Sequence, residues 1–155
     1  MKKFVIVPLV LLLLLFVACN NKEKEEKAEK AVRRPVTLGN TPVKRPYTPA
    51  IEVNNTLYVS GQIAVDQSTG KMIQGGIEEQ TRQVLKNLKN VIEKAGYSMN
   101  NVAKCTVLLY DIASYTAVNQ IYMEFFPTDP PARMAFAVKD LPMGALIEID
   151  AVAIK

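Results

Sequence analysis

The stretch IEEQTRQVLKNLKNVIEKAG, Ile77 to Gly96, most restricts the folds open to this chain. Ile77, Thr81, Val84, Leu85, Leu88, Val91, Ile92 and Ala95 recur at helical spacing and form one stripe, and Gly96 supplies a stop. Such a stripe must be buried against something. On both sides of it the pattern changes to a period of two. AIEVNNTLYVSGQIAVD alternates around Asn54-Asn55, as a hairpin with a short turn does, and Asp66–Lys71 marks a second turn. After the helix, Ala103, Cys105, Val107 and Leu109 alternate as one buried strand face, which makes Cys105 a core thiol rather than a reactive one. A second helix is expected from about Ser114 to Phe126, with Tyr115, Val118, Tyr122 and Phe125 as its packing face and Pro127 closing it. Strands Ala132–Val138 and Leu146–Ile154 finish the chain.

The order ββαβαββ predicts an α+β fold, a mixed β-sheet with two helices on one face. The other sheet face mixes Val, Ala, Ser, Gln and Thr and calls for a cover. That predicts a homo-oligomer.

The N-terminus reads differently. Lys2 and Lys3 precede an apolar run from Phe4 to Ala18, near the ~7–15 residues of a signal core and short of the ~20 that span a bilayer. The tail LFVAC resembles a bacterial lipobox, which implies cleavage before Cys19 and lipidation of its sulfur, although Phe16 is bulkier than the aliphatic residue usual at that place. An uncleaved anchor or an ordinary signal peptide is the alternative. The following NNKEKEEKAEKAVRR, Asn20 to Arg34, has too little apolar surface to offset its ordering entropy and reads as a tether, at most about 50 Å long when extended. The expected organisation is thus a leader at 1–18, a charged tether at 19–35 and one folded domain at 36–155. Its expected location is the cell envelope, lipid-anchored to the membrane.

This division changes the meaning of the net charge of +4. Two bases sit in the leader, 20–34 holds six bases and four acids, and the chain from Pro35 on carries eleven of each. A neutral domain gives no support to nucleic acid as a partner. The chain also has no histidine, which removes histidine-assisted serine or cysteine nucleophiles. With one cysteine left after lipidation, the usual zinc sites go too, and no metal is expected. There is no P-loop or glycine-rich dinucleotide turn. Any enzyme built here must move protons with Glu, Asp, Tyr, Lys or water.

One residue stands out. In PARMAFAV, Arg133 heads an apolar strand-like run whose nearest acids in sequence are Asp129 and Asp140. Alternation puts Met134, Phe136 and Val138 on one face and Arg133 with the small Ala135 and Ala137 on the other. A guanidinium keeps its charge in a protein, so a buried one needs a partner. Either its head reaches water at an edge, or it anchors an acid.

Four segments, SGQIAVDQSTG (60–70), VNQIYMEFF (118–126), PPARMAFAV (130–138) and LPMGALIEIDAVAI (141–154), taken with the element order, resemble the RidA (YjgF) family. The resemblance implies a chorismate-mutase-like homotrimer with clefts between subunits. It also implies hydrolysis of reactive enamines and imines such as 2-aminoacrylate to 2-keto acids and ammonia, without cofactor or metal. By that resemblance Arg133 would clamp the substrate carboxylate and Glu148 would position or activate water. Tyr47, Ser60, Gly61 and Asn119 would shape the pocket. The bottom-up chemistry agrees: a guanidinium pairs a carboxylate in a two-bond geometry lysine cannot reproduce, and imine hydrolysis needs only a delivered water and a moved proton. Each residue also has a plainer role open to it: a structural ion pair for Glu148, a turn hydroxyl for Ser60, a local bond for Asn119. The loop KRPYTP departs from the family's Gly-Pro-Tyr-Ser, with Arg45 in place of the glycine. Two other functions compete with the deaminase: a non-enzymatic module binding small carboxylates at the envelope and, with less support, a ribonuclease.

Overall fold

The computed structural model describes residues 31–39 and 46–155. The leader, Cys19, the tether as far as Lys30, and Arg45 lie outside the described residues. Within them no helix is long and apolar enough to cross a membrane.

Six strands form one sheet: β1 (Arg33–Val36), β2 (Ala50–Val53), β3 (Thr56–Gln62), β4 (Val102–Leu109), β5 (Ala132–Ala137) and β6 (Ile147–Ile154), in the order β1-β2-β3-β6-β4-β5. All neighbours are antiparallel except β4 and β5, which run parallel because α2 (Tyr115–Phe125) crosses between them. The hairpin turn falls at Asn54-Asn55, where Asn54 takes a φ of 54°, a conformation asparagine tolerates.

The first helix, α1 (Ile77–Lys94), ends as its sequence predicts. Gly96 adopts a φ of 79°, Tyr97 N–H donates to Ile92 O at 3.0 Å and Gly96 N–H to Glu93 O at 2.9 Å, the paired bonds of a Schellman stop. Thr81, Val84, Leu85, Leu88, Val91 and Ile92 are buried against Leu57, Val59, Ile147 and Ile149 of the sheet. Full burial of each large aliphatic side chain contributes about 1.5–3 kcal/mol, so this stripe is a principal hold of the domain.

Two features differ from the sequence expectation. β1 starts at Arg33, inside the stretch expected to be tether, so the order is βββαβαββ. Its anchor comes from far along the chain: the Arg34 guanidinium grips the Glu52 carboxylate, to which the Tyr97 hydroxyl also donates at 2.9 Å. Arg34, then Tyr97, hold that carboxyl below its ordinary pKa. The packing face of α2 is also shifted: Val118, Ile121 and Tyr122 are buried, whereas Phe125 is half-buried and Tyr115 is exposed. Tyr115 turns toward Arg133 instead of the core.

Both helices cover one sheet face. The uncovered face presents Tyr58, Met134 and Phe136, which are 52%, 49% and 42% exposed, together with Thr106, Leu108, Glu148, Asp150 and Val152. Large apolar side chains clustered on an open sheet face mark an interaction surface.

Candidate active site

The sequence singles out Arg133 and Glu148 as candidate site residues, and the sheet register fixes where each points. Arg133 pairs with Cys105 across β4–β5, and Cys105 is fully buried on the helix-covered face. Glu148 pairs with Leu108 across β4–β6, one residue out of phase with the buried Val107 and Leu109. Side chains alternate along a strand, so Arg133 faces the helices and Glu148 the open face. In one protomer they are on opposite sides of the sheet.

On the helix side, Tyr115, Asn119 and Tyr122 recur at i, i+4 and i+7 and so line one stripe of α2 above Arg133. Arg133 Nη2 donates to Asn119 Oδ1 at 2.6 Å and to the Tyr115 hydroxyl at 3.0 Å. Its Cζ stands 4.7 Å from the Tyr122 ring centroid and 5.3 Å from that of Tyr115, within cation–π range. Among the described residues no carboxylate lies within ion-pair distance of Arg133. The guanidinium is therefore oriented by neutral groups, with its charge uncompensated. Beneath it, burial pushes the Cys105 thiol up to about 11, so Cys105 is the inert core residue its alternation predicts. The Tyr122 hydroxyl lies buried beside that thiol without a hydrogen bond of good geometry.

On the open side, Glu148 meets Gly61. A Cβ at Gly61 would overlap the Glu148 carboxylate, so only glycine admits that carboxyl against β3. Burial first, and the Asp150 carboxylate second, raise the Glu148 pKa above its ordinary value. Asp150, two residues on along the same face, is itself engaged with the Thr106 N–H at 3.0 Å.

Ser60 holds the loop that carries Tyr47. Its hydroxyl donates to Thr48 O at 2.7 Å and its N–H to Pro49 O at 3.0 Å, in the bulge where β3 leaves its regular pairing with β6. Ser60 thus serves as a loop clamp. Tyr47 lines two grooves, one of about 600 Å³ shared with Gly61, Gln62 and Asn87, and one of about 370 Å³ shared with Arg33, Tyr58 and Ser60. Arg133 and Asn119 line neither.

Two buried polar residues of α1 escape a hydrophobic-periodicity reading. Asn87 Nδ2 donates to Ile63 O at 3.0 Å and Val65 O at 2.8 Å, securing the loop after Gly61. Gln80 Oε1 accepts from Leu146 N at 2.9 Å, at the entry to the strand that bears Glu148. Their signal in the sequence is a polar residue within the helical stretch, whose partners are distant along the chain. Among the described residues no group of side chains could hold a metal ion.

A family model described as Endoribonuclease L-PSP matches residues 39–155. A RutC family protein of Pyrococcus horikoshii is 47% identical over 110 residues, covering 71% of this chain and 87% of that one. The chain belongs to the L-PSP/RidA family. A second relative, the human 2-iminobutanoate/2-iminopropanoate deaminase, is 43% identical over 125 residues, 80% of this chain and 91% of its own. Among solved structures, RidA from an Antarctic Psychrobacter superposes with a TM-score of 0.73 at 31% identity, covering 79% of this chain and all of that one. The α+β fold expected from the element order is thus the fold of the RidA proteins. Several relatives carry the deaminase name, which supports imine or enamine deamination at the level of the family.

Proposed function

We propose that this protein hydrolyses imines and enamines of small 2-amino acids to 2-keto acids and ammonia, in clefts between the subunits of a homotrimer. The observation that carries the reading is the opposite-face placement of Arg133 and Glu148. A site using both must draw Arg133 from one protomer and Glu148 from its neighbour, and the apolar open face supplies a surface for that contact. Arg133, with Asn119, would hold the substrate carboxylate. The Glu148 carboxylate would take a proton from water as its oxygen bonds to the imine carbon. That proton passes to nitrogen to give a carbinolamine; the new hydroxyl then gives up its proton, which also passes to nitrogen, the carbon–nitrogen bond breaks, and ammonia leaves as the carbonyl forms. Tyr47 and Gly61 would wall the cleft, and Ser60 would hold the Tyr47 loop in place.

The test generates 2-aminoacrylate with a serine dehydratase and follows keto-acid release by the mature domain. The reading requires acceleration over buffer and its loss in Arg133→Lys, which cannot reproduce the planar fork. No acceleration by folded oligomer would overturn it.

The apolar leader ending at Cys19 favours a second reading. The mature chain would be lipid-anchored in the envelope and would capture small carboxylates there without turnover. Fatty-acid labelling that disappears in Cys19→Ser would support the anchor. Saturable keto-acid binding by Arg133 without catalysis would support capture. The ribonuclease activity in the family model's description finds less support in a domain with eleven acids, eleven bases and no histidine.

A further inference from the structure

We infer that Met143 is a specificity-determining residue, an apolar wall that favours imines with a linear apolar side chain over the shortest ones; this rests on the reading of the cleft walled by Tyr47 and Gly61 as an imine-hydrolysing site. Met143 sits in the turn Leu141–Ala145, which leads into β6 and so to Glu148. Its φ of 58° and ψ of 21° lie in the left-handed region, which a side chain of this kind rarely adopts. The turn is held firmly around it. Leu141 and Ala145 are buried, Ala145 N–H donates to Pro142 O at 3.1 Å, and Leu146 N–H donates to Gln80 Oε1 at 2.9 Å. Met143 itself is 62% exposed. Neither local backbone preference nor the core accounts for a large apolar side chain here, and strained positions of this sort gather at functional sites.

Met143 lines the groove of about 600 Å³. Tyr47 and Gly61 belong to the same lining, and Gly61 is the residue against which the Glu148 carboxyl lies. Leu38, Pro49, Ile63 and Val65 add apolar surface. Several polar side chains of the lining spend their donors on the protein: Gln62 Nε2 donates to Ser60 O at 2.8 Å, Asn87 Nδ2 to the Ile63 and Val65 carbonyls, and Asn90 Nδ2 to Gln67 Oε1 at 2.6 Å. Among the described residues Lys94 is the one charged group in the lining. A three-carbon imine would fill only a small part of this volume. The remainder suits a chain of methylenes, whose shape the flexible thioether of Met143 can follow.

The test uses imines generated in place by an amino acid oxidase from norvaline, alanine and glutamate, and reads kcat/KM above the buffer rate for each with the intact oligomer. Wild type should favour the norvaline imine over the alanine imine by about tenfold, the worth of the two added methylenes in an apolar pocket. Met143→Asn and Met143→Gly both accept a φ of 58°, so their thermal midpoints should hold or rise while that ratio falls to near one. Equal losses on both imines, which leave the ratio unchanged, would mark a structural role and overturn the inference. A wild-type preference for the alanine imine would also overturn it, as would one for the glutamate imine, the result expected if Lys94 directs recognition. In each of those cases turnover leaves the deaminase reading standing. No turnover of any of the three by folded oligomer would overturn that reading and this inference together.

Discussion

Arg133 and Glu148 leave opposite faces of one sheet, Arg133 in register with buried Cys105 and Glu148 in register with Leu108 on the uncovered side. Each comes with its own support. Neutral side chains of α2 orient the cation, and a glycine admits the carboxyl. On the proposed function, the two half-sites are built separately and complete one another between copies.

The raised pKa of Glu148 gives a pH signature. If its carboxylate form handles the water, kcat should fall as pH drops through a value above the ordinary 4.5. Glu148→Gln should abolish turnover. Stability follows the opposite sense: because the folded pKa is raised, the contribution of Glu148 is fully present below its unfolded pKa and is lost as pH rises through the folded one. Denaturant titrations at several pH values should show that slope reduced in Glu148→Gln.

Gly61→Ala tests the contact directly. The added methyl would collide with the Glu148 carboxylate, so either the carboxyl or β3 must shift. Overpacking of this kind costs about 1–3 kcal/mol, measurable by urea unfolding. Displacing the water-handling group by ~1 Å should lower kcat on the order of a hundredfold.

The buried Tyr122 hydroxyl has no good hydrogen bond, while its ring supports Arg133. Tyr122→Phe keeps the ring and removes the orphan group. It should raise stability by about 1 kcal/mol or leave it unchanged, read as the thermal midpoint. A loss of several kcal/mol would mean that the hydroxyl has a partner in the assembled protein.

Periodicity made most of the fold legible. The α1 stripe, its stop at Gly96, the Asn54-Asn55 hairpin and the alternating Cys105 strand all depend on neighbours close in sequence. β1 was not legible, because the grip of Arg34 on Glu52 spans eighteen residues and charge alone made the segment look like a tether. Asn87 and Gln80 were missed for the same reason: their partners, Ile63, Val65 and Leu146, are distant in the chain. At the site, alternation separated Arg133 from Met134 and Phe136, and the alanines beside it signalled room. That Tyr115 turns to Arg133 was hidden, since helical spacing assigned it to the core. Ser60 shows the opposite case, in which the plain turn-hydroxyl role and support of the site are one bond to Thr48.

Mixing two inactive variants is the most direct test of a shared site. Arg133→Ala and Glu148→Gln should each abolish imine hydrolysis. After joint denaturation and reassembly at equal amounts, random mixing in a symmetric oligomer pairs an intact Arg133 with an intact Glu148 at about a quarter of the interfaces. The account predicts recovery of about a quarter of wild-type activity. No recovery, with mixed oligomers confirmed by mass, would contradict it.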